Sequence, residues 1–126
     1  MLASCTSEAV AFVKRHAERV VEVGAGDGRW ARTLRRHGVS VKAFDIEPRG
    51  SGVTRGDHED AAQHEGALLA IWPPDDRLWT WLAGRRVVIT CGVPERFGPL
   101  DGLSKADEIE LPRGVKGGNV LTAWHG

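Results

Sequence analysis

A chain of 126 residues is sized for one domain around one core. Its 17 basic and 17 acidic side chains cancel, which argues against a general electrostatic binder of nucleic acid or anionic membrane. Cys5 and Cys91 stand in no C-x-x-C and no metal-ligand spacing, so reduced thiols are expected rather than a disulfide framework or a metal centre. No apolar run approaches the ~20 residues of a membrane span, and the N-terminus lacks a signal-peptide core. The expectation is a cytoplasmic protein.

Residues 6–18 read as a helix. Thr6 or Ser7 can cap it, Glu8 falls in its first turn, and Val10, Val13 and Ala17 make an apolar stripe. A first strand over about 19–23 carries one embedded acid, Glu22, and enters the turn Gly24-Ala25-Gly26-Asp27-Gly28. The turn opens a helix over about 28–37, which Gly38 can stop. Strand, glycine turn and helix form the unit that lays a nucleotide on a helix N-terminus. The glycines allow a sharp turn and a close ligand, and the helix start offers unpaired N–H groups. Arg29, Arg32, Arg35 and Arg36 cluster on this helix and read as a solvated face.

The second strand, about 40–44, ends at Asp45. An acid there, about 20 residues past the glycine turn, accepts ribose hydroxyls in Rossmann-type sites, with Glu47 as the reserve candidate. Pro48-Arg49-Gly50-Ser51-Gly52 is loop chemistry, and little chain separates it from Val53-Thr54. A parallel crossover needs roughly a dozen residues. The helix between the second and third strands is therefore expected to be missing or reduced to a turn, and the third strand can be missing too. Asp57 either faces the ligand or caps a helix of about 57–65.

Gly66 to Ile71 reads as a fourth strand buried on both faces. It ends in Trp72-Pro73-Pro74-Asp75, after which Asp75 or Asp76 can cap a helix of about 76–83. Arg86 to Cys91 is the fifth strand, and 92–105 is mostly irregular. Residues 108–111 and 119–124 read as two closing strands in a hairpin. The predicted fold is α/β: a single domain over 1–126, with a trimmed, doubly wound, mostly parallel sheet and a C-terminal antiparallel hairpin.

Glycine spacing narrows the ligand. A dinucleotide fingerprint would need its third glycine where Arg29 stands. The pattern Glu22-x-Gly24-x-Gly26-x-Gly28 instead resembles the class I (Rossmann-like) S-adenosylmethionine-dependent methyltransferases, whose first motif has an E/D-x-G-x-G-x-G form. The resemblance covers the first half of the chain well and the second half loosely. It implies S-adenosylmethionine as cofactor, with Glu22 holding its amino group through water and Gly24 and Gly26 against it. Ala25 and Gly28 belong to the same cradle. Asp45 and Ile46 fall on the ribose side, Asp57 near the adenine amino group, and Trp72 at the wall of the methyl-transfer pocket. The trimmed third strand thins the adenine wall.

Amino-directed members of that family carry [D/N/S]-P-P-[Y/F/W] where this chain has Trp72-Pro73-Pro74-Asp75. Trp72 can only donate and Asp75 is not aromatic, so the prolines read first as a stiff turn that Asp75 caps. His16, His37, His58, His64 and His125 show no metal spacing and read first as solvated, with a catalytic base as the alternative for His58, while Trp30, Trp79, Trp81 and Trp124 read as core or half-core. No catalytic residue is assigned, and methyl transfer needs no nucleophile–base pair: the acceptor attacks the sulfonium carbon directly. The expected function is a small methyltransferase of unnamed acceptor. The alternative is a cofactor-binding module acting as a non-catalytic partner subunit or sensor, its site completed by another protein. A nicotinamide-dependent oxidoreductase is disfavoured by the glycine spacing.

Overall fold

The computed structural model describes residues 4–72, 84–92, 102–111 and 120–126. In chain order the elements are α1 (Ser7–His16), β1 (Arg19–Val23), α2 (Arg29–Arg36), β2 (Ser40–Asp45), β3 (Thr54–Arg55), α3 (His58–Ala61), β4 (Ala67–Ile71), β5 (Val87–Gly92), β6 (Ser104–Glu110) and β7 (Val120–His125). The strands form one seven-stranded sheet in the order β3-β2-β1-β4-β5-β7-β6. The first five of these run parallel, and β7 and β6 close the sheet antiparallel. Strand order reverses between β1 and β4, which opens a crevice at their carboxyl ends.

Alternation along β1 sorts the core into two layers. Val20 joins Phe12, Val13, Trp30, Leu34, Leu69 and Ile89 beneath α1 and α2. Val21 and Val23 join Phe44, Leu68, Val88, Trp124 and Ala61 of α3 on the opposite face. β4 is buried at every position, which is why it reads as an unbroken apolar run. Glu22 shares the parity of Val20 and is carried into the α1/α2 layer, where it is buried.

Thr6 caps α1, its Oγ1 accepting the Ala9 amide at 3.1 Å. The helix ends at His16, two residues short of the expected 18, because Ala17 is extended. His16 is not solvated. Its Nε2 lies 2.8 Å from Asp107 Oδ2, and its Nδ1 lies 3.0 Å from Nε2 of His125, the last residue of β7. Arg15 reaches the same Asp107 oxygen at 3.0 Å. Hydrogen bonds from His16 and then Arg15 hold the Asp107 carboxyl down at about 2. The set ties α1 to the terminal hairpin. β6 starts at Ser104, earlier than the expected 108, because a bulge between Lys105 and Asp107 breaks the alternation that marks a strand.

The crossover helix between β2 and β3 is absent, and β3 is two residues long, paired with Phe44 and Asp45. The connecting loop lies along α2 instead. The α2 arginines form a largely exposed face, as expected, but two of them also hold this loop. Arg32 Nη1 donates to the Asp27 carbonyl and, at 2.8 Å, to the Ser51 carbonyl. Arg35 donates to the Gly52 and Val41 carbonyls, both at 2.9 Å. A loop without secondary structure leaves carbonyls in need of donors, and two guanidinium groups supply them. Arg29, Arg35 and Arg36 stay exposed, Arg36 bonded to Thr33.

α3 is shorter than expected, one turn over 58–61, with Asp57 as its cap. The Pro73-Pro74-Asp75 turn, the helix over 76–83 and the tryptophans 79 and 81 lie outside the described residues. No helix among the described residues is long and apolar enough to cross a membrane.

Candidate functional site

All three glycines of the turn adopt the left-handed conformation, with φ of 75° at Gly24, 59° at Gly26 and 81° at Gly28. Three such residues close together demand glycine, since a Cβ is strained at each. The turn is held by the end of β2. The amides of Gly24 and Ala25 both donate to the Phe44 carbonyl, at 2.9 and 3.0 Å. Gly26 is fixed on both sides of its residue: its N–H donates to Asp45 Oδ2 at 2.8 Å, and its carbonyl accepts the Arg49 amide at 3.0 Å.

A cavity of about 530 Å³ opens above this turn, at the carboxyl ends of β1 and β4. Of the expected site residues, Glu22, Gly24, Ala25, Gly26 and Trp72 line it. Asp27, Arg29, Trp30, Arg49 and Ile71 line it as well, and sequence reasoning did not place them there. Ile71, as the last residue of a strand at the reversal, carried a readable signal. Arg49 carried none, because nothing in the sequence says how the β2–β3 loop folds.

Gly28, Asp45, Ile46 and Asp57 are not among the cavity-lining residues. Gly28 caps α2, and a Cβ there would meet Ser51 O, Val53 Cγ2 and Arg32 Nη1 at 2.8 Å. Its freedom serves the close approach of the β2–β3 loop. Asp45 spends one contact of each oxygen on the backbone: Oδ2 on Gly26, and Oδ1 on the Glu47 amide at 2.8 Å. Ile46 is 55% exposed, the one large apolar side chain so placed among the described residues. Asp57 caps α3 in a reciprocal box with Asp60.

Glu22 is 2% exposed, and its Oε1 has no hydrogen-bond partner among the described residues. Burial pushes its carboxyl up to about 8, with Arg35 pulling down and Asp27 and Asp45 pushing up. An acid in that state leaves a polar atom open to a cationic or donor partner. Asp27, in contrast, is satisfied: it accepts the Arg29 amide at 3.0 Å and pairs with its guanidinium at 3.1 Å, which holds its carboxyl below the ordinary value. Cys5 and Cys91 are both raised to about 12 by burial, so neither thiol is a ready nucleophile. Trp72 is the one non-glycine residue with positive φ among those described, at 50°, and its amide is held by the Cys91 carbonyl at 2.8 Å. A strained residue in a cavity wall costs of order 1–3 kcal/mol and is found most often at working sites.

Residues 4–100 match the family described as "Methyltransferase domain". The chain belongs to the methyltransferase domain family. No protein among the curated ones matches it significantly. Solved structures similar in fold include the Burkholderia thailandensis 1,6-didemethyltoxoflavin-N1-methyltransferase with bound 1,6-didemethyltoxoflavin and S-adenosylhomocysteine. The TM-score is 0.64 at 16% identity, over 94% of this chain and 76% of that one. The magnesium protoporphyrin IX methyltransferase of Synechocystis PCC 6803, with bound SAM, gives 0.64 at 17% identity, over 94% and 77%. The N-methyltransferase NodS of Bradyrhizobium japonicum WM9 gives 0.59 at 10% identity, over 94% of each chain. At these identities the likeness is one of fold. The methyltransferase reading, the Rossmann-like sheet and S-adenosylmethionine as cofactor all stand. The residues present fit that cofactor, since an open glycine cradle adjoins a buried acid with an unpaired oxygen.

Proposed function

We propose that this chain is an active methyltransferase, with its cofactor seated in the cavity above the glycine turn. The single observation that carries this reading is that Glu22, buried and with no hydrogen-bond partner for its Oε1 among the described residues, lines that cavity. When bound, the cofactor supplies a methyl group activated on a sulfonium. Glu22 takes its amino group, directly or through water. Gly24, Ala25 and Gly26 receive its amino-acid part without a Cβ in the way. Asp45 has lone pairs left after its two backbone bonds and offers them to the ribose hydroxyls. Exposed Ile46 gives the adenine an apolar seat, and Asp57 stands at that end beside β3. Gly28 shapes the cradle from behind. Trp72 and Trp30 wall the side where an acceptor enters. The chain's part in catalysis is alignment and exclusion of water, with no general base assigned.

A module that binds the cofactor without catalysis, completed by a protein partner, is the second reading. It draws on the two-residue β3, which leaves the adenine side short of sheet. Calorimetric titration with S-adenosylmethionine, S-adenosylhomocysteine and NAD tests the first reading. Micromolar S-adenosylhomocysteine binding without NAD binding is expected, and tighter NAD binding overturns it. Affinity that appears only with an added protein favours the second reading.

A further inference from the structure

The cavity is lined by an acid and a base, Glu22 and Arg49, that no described residue pairs. Glu22 lines it, with an oxygen unpartnered among the described residues. Arg49 lines it as well, its Nη2 3.7 Å from where a Cβ of Gly26 would stand. Among the described residues, no acceptor lies within hydrogen-bonding distance of the Arg49 guanidinium. The cavity's remaining charges, Asp27 and Arg29, satisfy each other.

We propose that Arg49 binds the carboxylate of the cofactor's amino-acid tail, and so completes with Glu22 a zwitterion clamp across the glycine turn. The inference rests on the cofactor seat proposed above and adds a residue from the β2–β3 loop to it. An α-amino acid carries its ammonium and carboxylate on one carbon, so its site needs an acid and a base facing one small space. Glu22 and Arg49 line one cavity together with Gly24 and Gly26. Arg is suited to it, because its planar fork takes both oxygens of a carboxylate.

The loop also holds Arg49 in readiness. Its own amide is bonded to the Gly26 carbonyl at 3.0 Å. Next to it, Gly50 lies against the backbone of Asp27 so closely that a Cβ there would strike the Asp27 carbonyl. Ser51 and Gly52 are bonded by Arg32 and Arg35. The short crossover thus does more than economise on chain: it folds back and sets a cation over the cradle. A backbone held at four successive residues leaves only the side-chain rotamers to be ordered on binding.

The test is calorimetry with S-adenosylhomocysteine and its decarboxylated counterpart on wild type, Arg49→Ala and Arg49→Gln. Wild type is expected to bind S-adenosylhomocysteine about ten- to a hundredfold more tightly than the decarboxylated ligand, the range of a lost charge-assisted pair. Both variants are expected to lose about that factor for S-adenosylhomocysteine while the decarboxylated ligand changes by about twofold at most, since a removed partner cannot be removed twice. Equal losses for both ligands would make Arg49 a structural loop residue and overturn the inference, as would unchanged S-adenosylhomocysteine affinity in the variants. Failure of wild type to bind S-adenosylhomocysteine at all would remove the cofactor seat itself, and this inference with it.

Discussion

Asp45 reaches from the end of β2 to the glycine turn and accepts the Gly26 amide at 2.8 Å. This bond joins the two landmarks of the sequence, the glycine motif and the acid about 20 residues on, before any ligand arrives. The left-handed conformation of Gly26 is thereby held by an ionised acceptor. Asp45 is as much a part of the cradle's frame as a candidate ligand.

Asp45→Ala is therefore expected to act twice. Without ligand it removes the acceptor for Gly26 and for Glu47, and the thermal midpoint should fall by the equivalent of about 2 kcal/mol. With ligand, affinity should fall about tenfold to a few hundredfold, from the loosened turn and the lost hydroxyl acceptor together. Glu47→Ala serves as control and should change both little. A large effect of Glu47→Ala with none from Asp45→Ala would move the ribose contact by two residues.

Glu22 gives the pH prediction. Its carboxyl stands at about 8 in the fold against an ordinary value of 4.5. A raised acid contributes stability that is full below the unfolded value and is lost as pH rises through the folded one. Stability of the ligand-free chain should thus decline between pH 4.5 and about 8 on account of Glu22, by at most about 1.4 kcal/mol per pH unit. Glu22→Gln should flatten that decline and raise the thermal midpoint at pH 8, while weakening S-adenosylhomocysteine binding at least tenfold, a charge-assisted bond being lost. A cationic amino group favours the ionised acid, so binding at pH 7 should release close to one proton in wild type and none in the variant. Calorimetry in buffers of different ionisation heat measures this.

Much of the frame was legible because its signals are local. Three glycines at alternate positions between a strand and a helix permit the left-handed turn that they adopt, and the run from Ala67 to Ile71 has no polar residue to expose. The depth of Glu22 follows from strand parity. The β2–β3 loop was not legible in the same way. Its path depends on Arg32 and Arg35, which local patterning assigns to solvent because a helix-face arginine looks the same whether or not a loop lies across it. Arg49 entered the cavity by that route. His16 was misplaced for a like reason: its partners, Asp107 and His125, are distant in sequence, and one sits beyond a bulge.

Gly50 and Gly38 offer a contrast in why a glycine is needed. A Cβ at Gly50 would collide with the Asp27 backbone, which has no rotamer to move. Gly50→Ala should push the loop off the turn, costing about 1–3 kcal/mol as overpacking does, and should weaken S-adenosylhomocysteine binding as well. Gly38 has φ of 89° with open space where a Cβ would go. Gly38→Ala should cost only the strain of a left-handed residue, about 1 kcal/mol, and leave binding unchanged. Thermal midpoints and titrations of the two variants separate the effects. Equal loss of affinity in both would mean that the loop's contact with Asp27 does not shape the site.

Arg35 connects the loop to the buried acid. It holds the Gly52 and Val41 carbonyls, and its charge is what pulls the Glu22 carboxyl back against burial. Arg35→Met keeps an unbranched side chain of similar reach but removes both functions. The loop should loosen, with a loss of about 1–3 kcal/mol from carbonyls that no longer meet a charged donor. Independently, the Glu22 carboxyl should titrate higher still, so the decline in stability should extend above pH 8 and binding-linked proton release should persist to more alkaline pH than in wild type. Arg32→Met is the comparison, because Arg32 holds the same loop through Asp27 and Ser51 but is not among the groups that move Glu22. It should cost similar stability while leaving the proton-release profile where it was. A shifted profile in Arg32→Met but not in Arg35→Met would show that loop position, not the Arg35 charge, sets the ionisation of Glu22.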